Sequence, residues 1–588
     1  MSHQPNDVLQ RARVARSILT LVFVALASAF FRAQVLRKDY YDTVAKGNRQ
    51  REIPLPGARA TILDRHGEII AENLPGYSVS LLSPTEDSLR TALHSLARVV
   101  DIDSAQQEVV MRRFRGSPQR PAVIFNDASF EVVSVLEERR SEFPGLIIQS
   151  TPKRFYPEGE AVASFMGYTG EISQQELAKE KFAGYKPGQQ VGKQGLEQQY
   201  EGRLRGREGS RAVEVDARNR VVRDHGVAPD IAPESPPPLR TNIDLGLQKY
   251  AHEYFGDSLR GAMVAIEPKT GAVLALYSAP TYDINRFIGG IARNYYQSLI
   301  DDPRKPLFNK VTQGRYPPAS TFKLATAAMG LEAGLVTMDT HMEKPCTGGY
   351  MYGGRYFKCW DHKGHGDINL AQAIAKSCDV YFYQLGLKIS LLKFVAGGVD
   401  LGFLKRSGID LPDEKPPLFP DSKAYFDRLY GPRGWADGIV LNLAIGQGED
   451  AQTPLNMAKF YAALAIDGKA APPRIVPDSS VTREQVIKLA PDQLKGLQDA
   501  LADVLSRGTG QSAQIKGLTI AGKTGTAQNP PNPDHAWFVG YAPANDPKIV
   551  VAVMLEFGLH GSAAAKIATK MMERYLNTHL TLTSTPVE

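Results

Sequence analysis

A serine and a lysine stand three positions apart in the segment Pro317–Ala328, where they could act as a nucleophile and its base. The prolines that open the segment predict an extended approach, and the alanine-rich stretch predicts a helix from near Ser320 to Gly334. A spacing of three places Ser320 and Lys323 on one face of that helix. A serine hydroxyl needs a neighbouring base to become a nucleophile, and a desolvated lysine amine can be that base.

This spacing alone is weak evidence, because Ser390–Lys393 repeats it and reads as an ordinary amphipathic helix segment. Two further motifs distinguish Ser320. The first is Ser377-Cys378-Asp379, between two helical stretches, and the second is Lys523-Thr524-Gly525-Thr526, directly after a strand predicted over Leu518–Ile520.

The motif around Lys523 has the chemistry of a peptide-binding strand. Lys523 can offer a positive charge to a carboxylate, and Gly525 lets another backbone approach the strand closely. An extended peptide could therefore pair with this edge. A second Lys-Thr-Gly triplet, Lys269–Gly271, precedes Ser320 and fits a hairpin turn between two predicted strands.

The three motifs, in this order, resemble those of the penicillin-binding protein and serine β-lactamase superfamily. Further segments resemble the class B penicillin-binding proteins, from their non-catalytic pedestal through the catalytic domain. These segments are Arg59–Gly67, Arg154–Pro157, Gly192–Glu197, Leu204–Gly206, Gly446–Gly448 and Thr453–Pro454. The resemblance covers nearly the whole chain, and within class B it is nearest to the elongation-type group of penicillin-binding protein 2.

The resemblance implies a peptidoglycan D,D-transpeptidase that crosslinks stem peptides during cell elongation and is inhibited by β-lactams. Ser320 would attack the penultimate D-alanine carbonyl, Lys323 would take its proton, and Ser377 would relay protons to the leaving D-alanine. The amine of a second peptide would then resolve the acyl-enzyme.

The same resemblance assigns substrate binding to the third motif. Lys523 and Thr524 would hold the terminal carboxylate of the stem peptide beside Gly525. Backbone N–H groups of Ser320 and Thr526 would form the oxyanion hole, a kind of donor whose loss costs about 10²–10³ in rate.

Asp379 stands where many relatives carry asparagine. An ionised aspartate accepts hydrogen bonds but cannot donate them, so an ion pair with Lys323 becomes possible. The elongation-type group shares this aspartate, which supports that subgroup and a catalytic role. The alternative is that Asp379 only caps the helix that follows.

All three cysteines of the chain, Cys346, Cys359 and Cys378, fall in one short window that also contains His365. Three thiolates and one imidazole suit a tetrahedral Zn²⁺ ion, and some elongation-type relatives bind zinc in this region. Asp361 and His362 are substitute ligands. The alternative is one disulfide with one free thiol, as expected of an exported protein.

The chain is of ordinary globular composition, with 588 residues, 43% hydrophobic, 22% charged and a net charge of +6. This length predicts about three or four domains. The composition excludes a disordered, collagen-like or coiled-coil chain. The charge is too mild to indicate nucleic-acid binding.

One apolar run, from Ile18 to Phe31 and past Arg32 to Leu36, predicts a single membrane anchor, since Arg32 can reach the interface. The family resemblance implies that this membrane is a bacterial inner membrane, with the body of the protein in the periplasm. The alternative is a cleaved signal peptide, because Ala25–Ala27 and Ala27–Ala29 resemble cleavage sites.

The predicted fold is α+β: a transpeptidase domain with an antiparallel sheet flanked by helices, on an extended mixed pedestal without one obvious core. A proline-rich stretch predicts a semi-rigid spacer between the two. The predicted boundaries are a cytoplasmic tail at 1–16, an anchor at 17–37, the pedestal at 38–225, the linker at 226–240, the transpeptidase domain at 241–580 and a tail at 581–588.

Other functions stay open at this stage. They are a septal, division-type transpeptidase, a β-lactamase, and a β-lactam sensor or scaffold without crosslinking activity. The resemblance also implies partners, namely a SEDS-family glycan polymerase and elongation scaffold proteins.

Overall fold

The computed structural model describes residues 5–216, 221–223 and 226–583. The chain begins with one long helical segment, continues into the pedestal, and ends in the larger catalytic domain. Positions 1–4 of the predicted N-terminal tail and 584–588 of the predicted C-terminal tail lie outside the described residues.

The N-terminal helix Pro5–Phe31 passes through a π-helical turn, Arg32–Leu36, and is followed by the helix Lys38–Arg49. Within it, Val8–Leu36 is long and apolar enough to cross a membrane, and none of its most apolar window is buried by protein. This agrees with the predicted anchor, which the sequence placed at 17–37.

The pedestal consists of short helices around three sheets, of five, three and two strands. Its strands are Gln50–Leu55, Ile62–Leu63, Ile69–Leu81, Ala122–Phe125, Leu146–Phe155, Thr169–Glu171, Gln190–Gly192, Gly209–Val215, Val221–Arg223 and Leu239–Arg240. Its α-helices are Glu86–Leu96, Ser104–Gly116, Phe130–Glu138, Gly159–Met166, Gln174–Leu177, Gly195–Gln199 and Glu201–Leu204, with 3-10 turns at Arg140–Glu142 and Glu180–Phe182.

Contrary to the expectation from sequence, the pedestal contains a core of its own, in which Val79, Leu89 and Val110 are fully buried. Other pedestal residues, including Ile62 and Phe165, belong to the continuous core of the catalytic domain. The inner part of the pedestal is therefore packed against the catalytic domain, while only its outer part has a separate core.

The proline-rich stretch is held by strand pairing, although its composition predicts a spacer. Ile231 bridges to Ser210, and Leu239–Arg240 pairs in parallel with Ile62–Leu63. Gly209 permits the first contact, because a Cβ there would lie 2.1 Å from the Ile231 carbonyl oxygen. Backbone hydrogen bonds with distant strands thus override the local preference of the prolines.

The catalytic domain has a helix-rich middle between strands from its two ends. Its main strands are Gly261–Ile266, Val273–Ala279, Ala521–Ala527, His535–Ala542 and Ile549–Leu555, and its short strand pairs are Gly349–Tyr352 with Arg355–Lys358 and Lys469–Ala470 with Glu484–Gln485. Its α-helices are Leu245–Phe255, Arg293–Asp301, Lys323–Glu332, Leu370–Ala375, Asp379–Ile389, Leu391–Asp400, Lys423–Tyr430, Ile439–Ala444, Pro454–Ala465, Pro491–Ser506 and Gly561–Thr583, with 3-10 turns at Ile284–Phe287, Ala319–Phe322 and Gln511–Ala513.

The main strands form one antiparallel sheet, which confirms the predicted α+β plan. The order is Val273–Ala279, Gly261–Ile266, Ile549–Leu555, His535–Ala542 and Ala521–Ala527. All side chains of the three middle strands are buried, because helices cover both faces.

The strand predicted over Leu518–Ile520 is wrong: the strand runs over Ala521–Ala527 and contains Lys523 itself. The strand is rich in glycine and alanine, which have low β-propensity, so residue preferences do not predict it. Packing explains them, since a Cβ at Gly522 would lie 2.9 Å from the Cα of Gly540 on the next strand.

A buried charge cluster joins the pedestal segments that carry the family resemblance. Glu197 is fully buried and accepts hydrogen bonds from Arg59 at 2.6 Å, Arg154 at 2.7 Å and Tyr156 at 3.1 Å. Burial opposes its ionisation, but the charges of Arg154 and Arg59 outweigh burial and lower the pKa of Glu197. The cluster therefore fixes three distant segments around one carboxylate.

We expect Glu197→Ala to lower the free energy of unfolding by about 3–5 kcal/mol, because two arginines would be left buried without their carboxylate. Glu86→Ala is the matched control, since Glu86 pairs with Arg90 and Arg115 on the surface and its loss should change little. Denaturant unfolding of the purified chain measures both, and equal effects would contradict the assignment.

The contribution of Glu197 to the free energy of unfolding should depend on pH. Because the folded pKa of Glu197 is lowered, its contribution is complete above the usual glutamate pKa of about 4.3 and is lost as the pH falls through the folded value. The wild type should lose this increment on acidification, whereas Glu197→Ala should lack that part of the pH dependence.

Candidate active site

Ser320 lies on a tight turn that precedes the helix Lys323–Glu332. The turn Ala319–Phe322 is a 3-10 turn, and Ala319 has a φ of +52°. Its N–H donates to the Gly446 carbonyl at 2.8 Å, and a Cβ at Gly446 would lie 2.3 Å from the Ala319 carbonyl oxygen. Only glycine permits this approach, which explains one residue of the Gly446–Gly448 segment.

Contacts with buried aromatic residues also fix the turn Ala319–Phe322. Phe322 is fully buried, with its ring centroid 4.7 Å from that of Phe403. The Tyr461 hydroxyl donates to the Thr321 carbonyl at 2.9 Å. Ser320 itself is half-buried, so its hydroxyl stands on a rigid support and is open to a ligand.

Lys323 is completely buried, and its ammonium group has three acceptors. The Nζ atom donates to the Ser377 carbonyl at 2.8 Å and to Asp379 Oδ1 at 2.7 Å, and it lies 3.2 Å from Ser377 Oγ. Among the described residues it makes no hydrogen bond to Ser320. The first two motifs are thus joined through the lysine, which lies between the nucleophile's turn and the Ser377 loop.

Asp379 forms the ion pair with Lys323 that the sequence suggested. Its second oxygen, Oδ2, accepts the backbone N–H of Trp360 at 2.9 Å. The alternative of a simple helix cap is wrong, because Cys378 is the N-cap and Asp379 is the first residue of the helix Asp379–Ile389. Its carboxylate faces the site and not the helix N–H groups.

The strand Ala521–Ala527 brings the third motif to the site at the edge of the sheet. Gly525 approaches the serine turn closely, since a Cβ there would lie 3.2 Å from the Pro318 carbonyl oxygen. Gln447 Nε2 donates to the Thr526 carbonyl at 3.4 Å. The four groups of the three motifs therefore meet at one place in the structure, as the sequence predicts.

Lys523 is fully buried, and its Nζ donates only to the Thr524 carbonyl, at 3.1 Å, among the described residues. Burial lowers the pKa of Lys523 well below its ordinary value, and the nearby charge of Lys323 lowers it further. The charge of Asp379 offsets these effects only in part, so an anionic ligand would further stabilise the charged amine.

The cysteine cluster lies directly behind the Ser377 loop. Ligand atoms of Cys346, Cys359, His365 and Cys378 all lie within 4.8 Å of one another, and the three thiols are free. His365 Nδ1 lies 3.6 Å from the sulfurs of Cys346 and of Cys359. A tetrahedral zinc ion with ordinary bond lengths separates such nitrogen and sulfur ligands by about 3.6 Å, so the donor set fits that metal.

The substitute ligands Asp361 and His362 are not members of this cluster. A hydrogen bond from the Cys378 thiol lowers the pKa of Cys359. Two glycines fix the loops, because a Cβ at Gly364 would lie 2.2 Å from the Cys346 carbonyl oxygen and one at Gly348 would lie 2.3 Å from that of His362.

Two contributors to the site escaped the sequence analysis. Trp360 contributes a backbone N–H to Asp379, and Thr509 Oγ1 lies 2.7 Å from the hydroxyl of Thr524. The position of Trp360 directly after Cys359 was the one available signal. Thr509 lies in a connecting loop and carries no pattern that could have revealed it.

Comparison with known proteins agrees with this geometry. Residues 261–573 match the penicillin-binding protein transpeptidase domain, and residues 54–233 match the penicillin-binding protein dimerisation domain. The peptidoglycan D,D-transpeptidase MrdA of Acinetobacter baumannii is 32% identical over 97% of this chain and 89% of its own length.

Two solved structures are similar over most of the chain. One is penicillin-binding protein PBP2 of Helicobacter pylori in complex with MreC, with a TM-score of 0.79, 28% identity, and coverage of 90% of this chain and 100% of that one. The other is a chain in a peptidoglycan synthase complex that coordinates polymerization and crosslinking, with a TM-score of 0.69, 28% identity, and coverage of 96% and 97%.

The buried ion pair gives a direct test of this site. We expect Asp379→Leu to slow the acylation of Ser320 by a labelled penicillin by about 10²–10³-fold, because Lys323 Nζ would lose the carboxylate that positions it and a positioned general base contributes at least that much to the rate. Asp379→Asn keeps an oxygen that can accept from Lys323 and should stay within about tenfold of the wild type. Acylation rates by quenched-flow labelling decide, and full activity of the leucine variant would refute the role of the carboxylate.

Proposed function

Because the chain belongs to the penicillin-binding protein family, with both its transpeptidase and its dimerisation domains, we propose that it crosslinks peptidoglycan stem peptides as the elongation-type D,D-transpeptidase. The observation that carries the proposal is the meeting of Ser320, Lys323, the Ser377 loop and the Lys523 strand at one place in the structure. No single motif would be sufficient evidence, because Ser390–Lys393 repeats the spacing of the first motif and Lys269–Gly271 repeats the triplet of the third.

In the first half of the reaction, the Ser320 hydroxyl attacks the carbonyl carbon of the penultimate D-alanine. The leaving D-alanine takes the electron pair of the broken amide bond. Lys323 receives the hydroxyl proton, and the Ser377 hydroxyl, 3.2 Å from Lys323 Nζ, is placed to pass a proton to the departing amine. Lysine can accept a proton only as the free amine, so Lys323 must act in that form.

The substrate would lie along the strand Ala521–Ala527. Its terminal carboxylate would supply the counter-charge for Lys523, with Thr524 beside it, and the approach of its backbone is permitted at Gly525. Backbone N–H groups of Ser320 and Thr526 would stabilise the oxyanion. The amine of a second stem peptide then attacks the ester, releases Ser320 and closes the crosslink.

We further propose that the apolar helix over Val8–Leu36 anchors the chain in the bacterial inner membrane, with the catalytic domain in the periplasm. The partners that this assignment brings are a SEDS-family glycan polymerase and elongation scaffold proteins. The relative of known structure bound to MreC and the chain in the peptidoglycan synthase complex support this expectation.

A zinc ion at the cysteine cluster is a separate proposal. Cys346, Cys359, His365 and Cys378 would hold it, and its chemistry would be that of a structural tetrahedral ion with no open position. Because Cys378 lies between Ser377 and Asp379, these ligands would fix the loop that both catalytic side chains share.

A labelled penicillin tests the proposed activity. We expect it to modify Ser320 in a long-lived adduct and Ser320→Ala to abolish the modification. Ser390→Ala is the matched control, because Ser390 has the same spacing from a lysine but begins an ordinary helix. Mass spectrometry of the digested chain identifies the serine, and modification elsewhere or rapid release of the drug would contradict a transpeptidase.

Elemental analysis tests the metal. We expect one zinc per purified chain, and a loss of nearly all of it in Cys359→Ser together with a lower melting temperature, since structural zinc contributes directly to folding. His362→Ala is the matched control in the same loop and should keep both metal and stability. Wild-type protein that contains no zinc after purification in zinc-replete buffer would refute the site.

A further inference from the structure

A β-hairpin formed by Gly349–Tyr352 and Arg355–Lys358 lies beside the catalytic loop and presents one face to the protein. On this inner face, the Phe357 ring packs 5.7 Å from Tyr383, and the Tyr383 hydroxyl donates to the Lys358 carbonyl at 2.9 Å. Tyr383 belongs to the helix that Asp379 begins. The hairpin is therefore firmly attached to the element that carries the catalytic ion pair.

The outer face of the hairpin carries large apolar side chains that are exposed over at least half of their surface. Met351 and Tyr356 are direct cross-strand partners, and they are 57% and 50% exposed. The Tyr356 ring lies across Gly349, where a Cβ would be 2.3 Å from it. Glycine at this position thus allows the ring to lie flat, as a platform, on the strand.

Trp360 extends this outer face towards the site. It is 56% exposed, yet its indole N–H donates to the Lys376 carbonyl at 3.1 Å, and its backbone N–H donates to Asp379. Two hydrogen bonds therefore separate Trp360 from Lys323 Nζ. An exposed indole held in this way indicates a binding surface. Its ring offers a large apolar contact area, and because its position is already fixed, little conformational entropy is lost when a ligand binds.

The charge around this face is positive. Lys358, Lys363 and Lys376 are exposed, and within the described part of the chain none of them forms an ion pair. The nearby Asp367 is paired with His341 at 2.7 Å. The face therefore combines flat aromatic groups with free cations, which suits a ligand that has both apolar faces and carboxylates.

We propose that the outer face of the hairpin, formed by Met351, Tyr356, Lys358 and Trp360, binds the glycan strand whose stem peptide is being crosslinked. The sugar rings would stack on the aromatic side chains, and stem-peptide carboxylates would pair with the cations. This inference rests on the proposed function, and it adds a subsite that positions the polymer relative to Ser320. Continuity with the catalytic loop and complementary charge favour this ligand over a protein partner.

The test uses the full-length chain in detergent and soluble, uncrosslinked glycan strands that carry stem pentapeptides. In a Ser320→Ala background, Tyr356→Ala should weaken strand binding by about tenfold, as expected for loss of an aromatic anchor. Tyr356→Phe keeps the ring and should bind like the parent. Tyr254→Ala is the matched control, an exposed tyrosine on a helix that packs with the C-terminal helix.

Two further measurements separate this subsite from the reaction itself. With Ser320 intact, Tyr356→Ala should be acylated by labelled penicillin within about twofold of the wild-type rate, and its affinity for the free pentapeptide should be unchanged. Absence of labelling in the wild type would overturn the proposed function. Normal labelling together with unchanged strand affinity in Tyr356→Ala would overturn the glycan subsite alone.

If Tyr356→Ala fails to fold, a second variant tests the proposed glycan-binding face. Lys358→Glu alters only an exposed side chain, reverses one of the free charges, and should weaken strand binding by about tenfold with penicillin acylation preserved. Unchanged strand affinity in this variant would equally overturn the subsite.

Discussion

The buried ammonium of Lys323 is the constraint on which the catalytic site depends. A fully buried charge is costly unless it is paired and hydrogen-bonded, with a penalty of several kcal/mol for each ion. Lys323 meets this requirement only because Asp379 and Ser377 come from a loop more than fifty residues away in sequence. The contacts that pair Lys323 therefore also require that this loop fold against the serine helix, so the stability of the site and the position of its base depend on one interaction.

The pedestal uses the same principle at a second place. Glu197 is surrounded by Arg59 and Arg154, and the pedestal around them packs into the continuous core of the catalytic domain. The segments that resemble the family outside the catalytic domain thus have a physical explanation: they supply the two partners and the carboxylate of one buried cluster. A contiguous core means that strain in the pedestal can reach the catalytic domain through packed side chains, without a flexible spacer between them.

The sequence predicted those parts of the molecule that local pattern and motif chemistry determine. The hairpin at Lys269–Gly271 and the convergence of Ser320, Lys323, Ser377 and Lys523 both agree with the structure. The failures have a common cause, which is tertiary contact. The strand Ala521–Ala527 consists mostly of small residues, because its neighbours approach it closely. The linker is held by pairing with strands that lie more than twenty residues away in the sequence. The exposed hairpin face could not be predicted either, since exposure depends on what the rest of the chain leaves uncovered.

Three consecutive residues, Ser377, Cys378 and Asp379, have three different tasks, and this explains why the loop must be rigid. Ser377 holds a φ of +55°, a conformation unfavourable for a side chain larger than glycine, so surrounding contacts must maintain it. Asp379 on one side is fixed by Lys323 and by the Trp360 N–H, while Cys378 is buried towards the cysteine cluster. A fixed position for Cys378 would restrict the backbone of Ser377 and of Asp379 at the same time. The Lys323–Asp379 ion pair alone fixes only one of these two residues. An ion at the proposed metal site would hold Cys378 and would thereby restrain the strained Ser377 beside it.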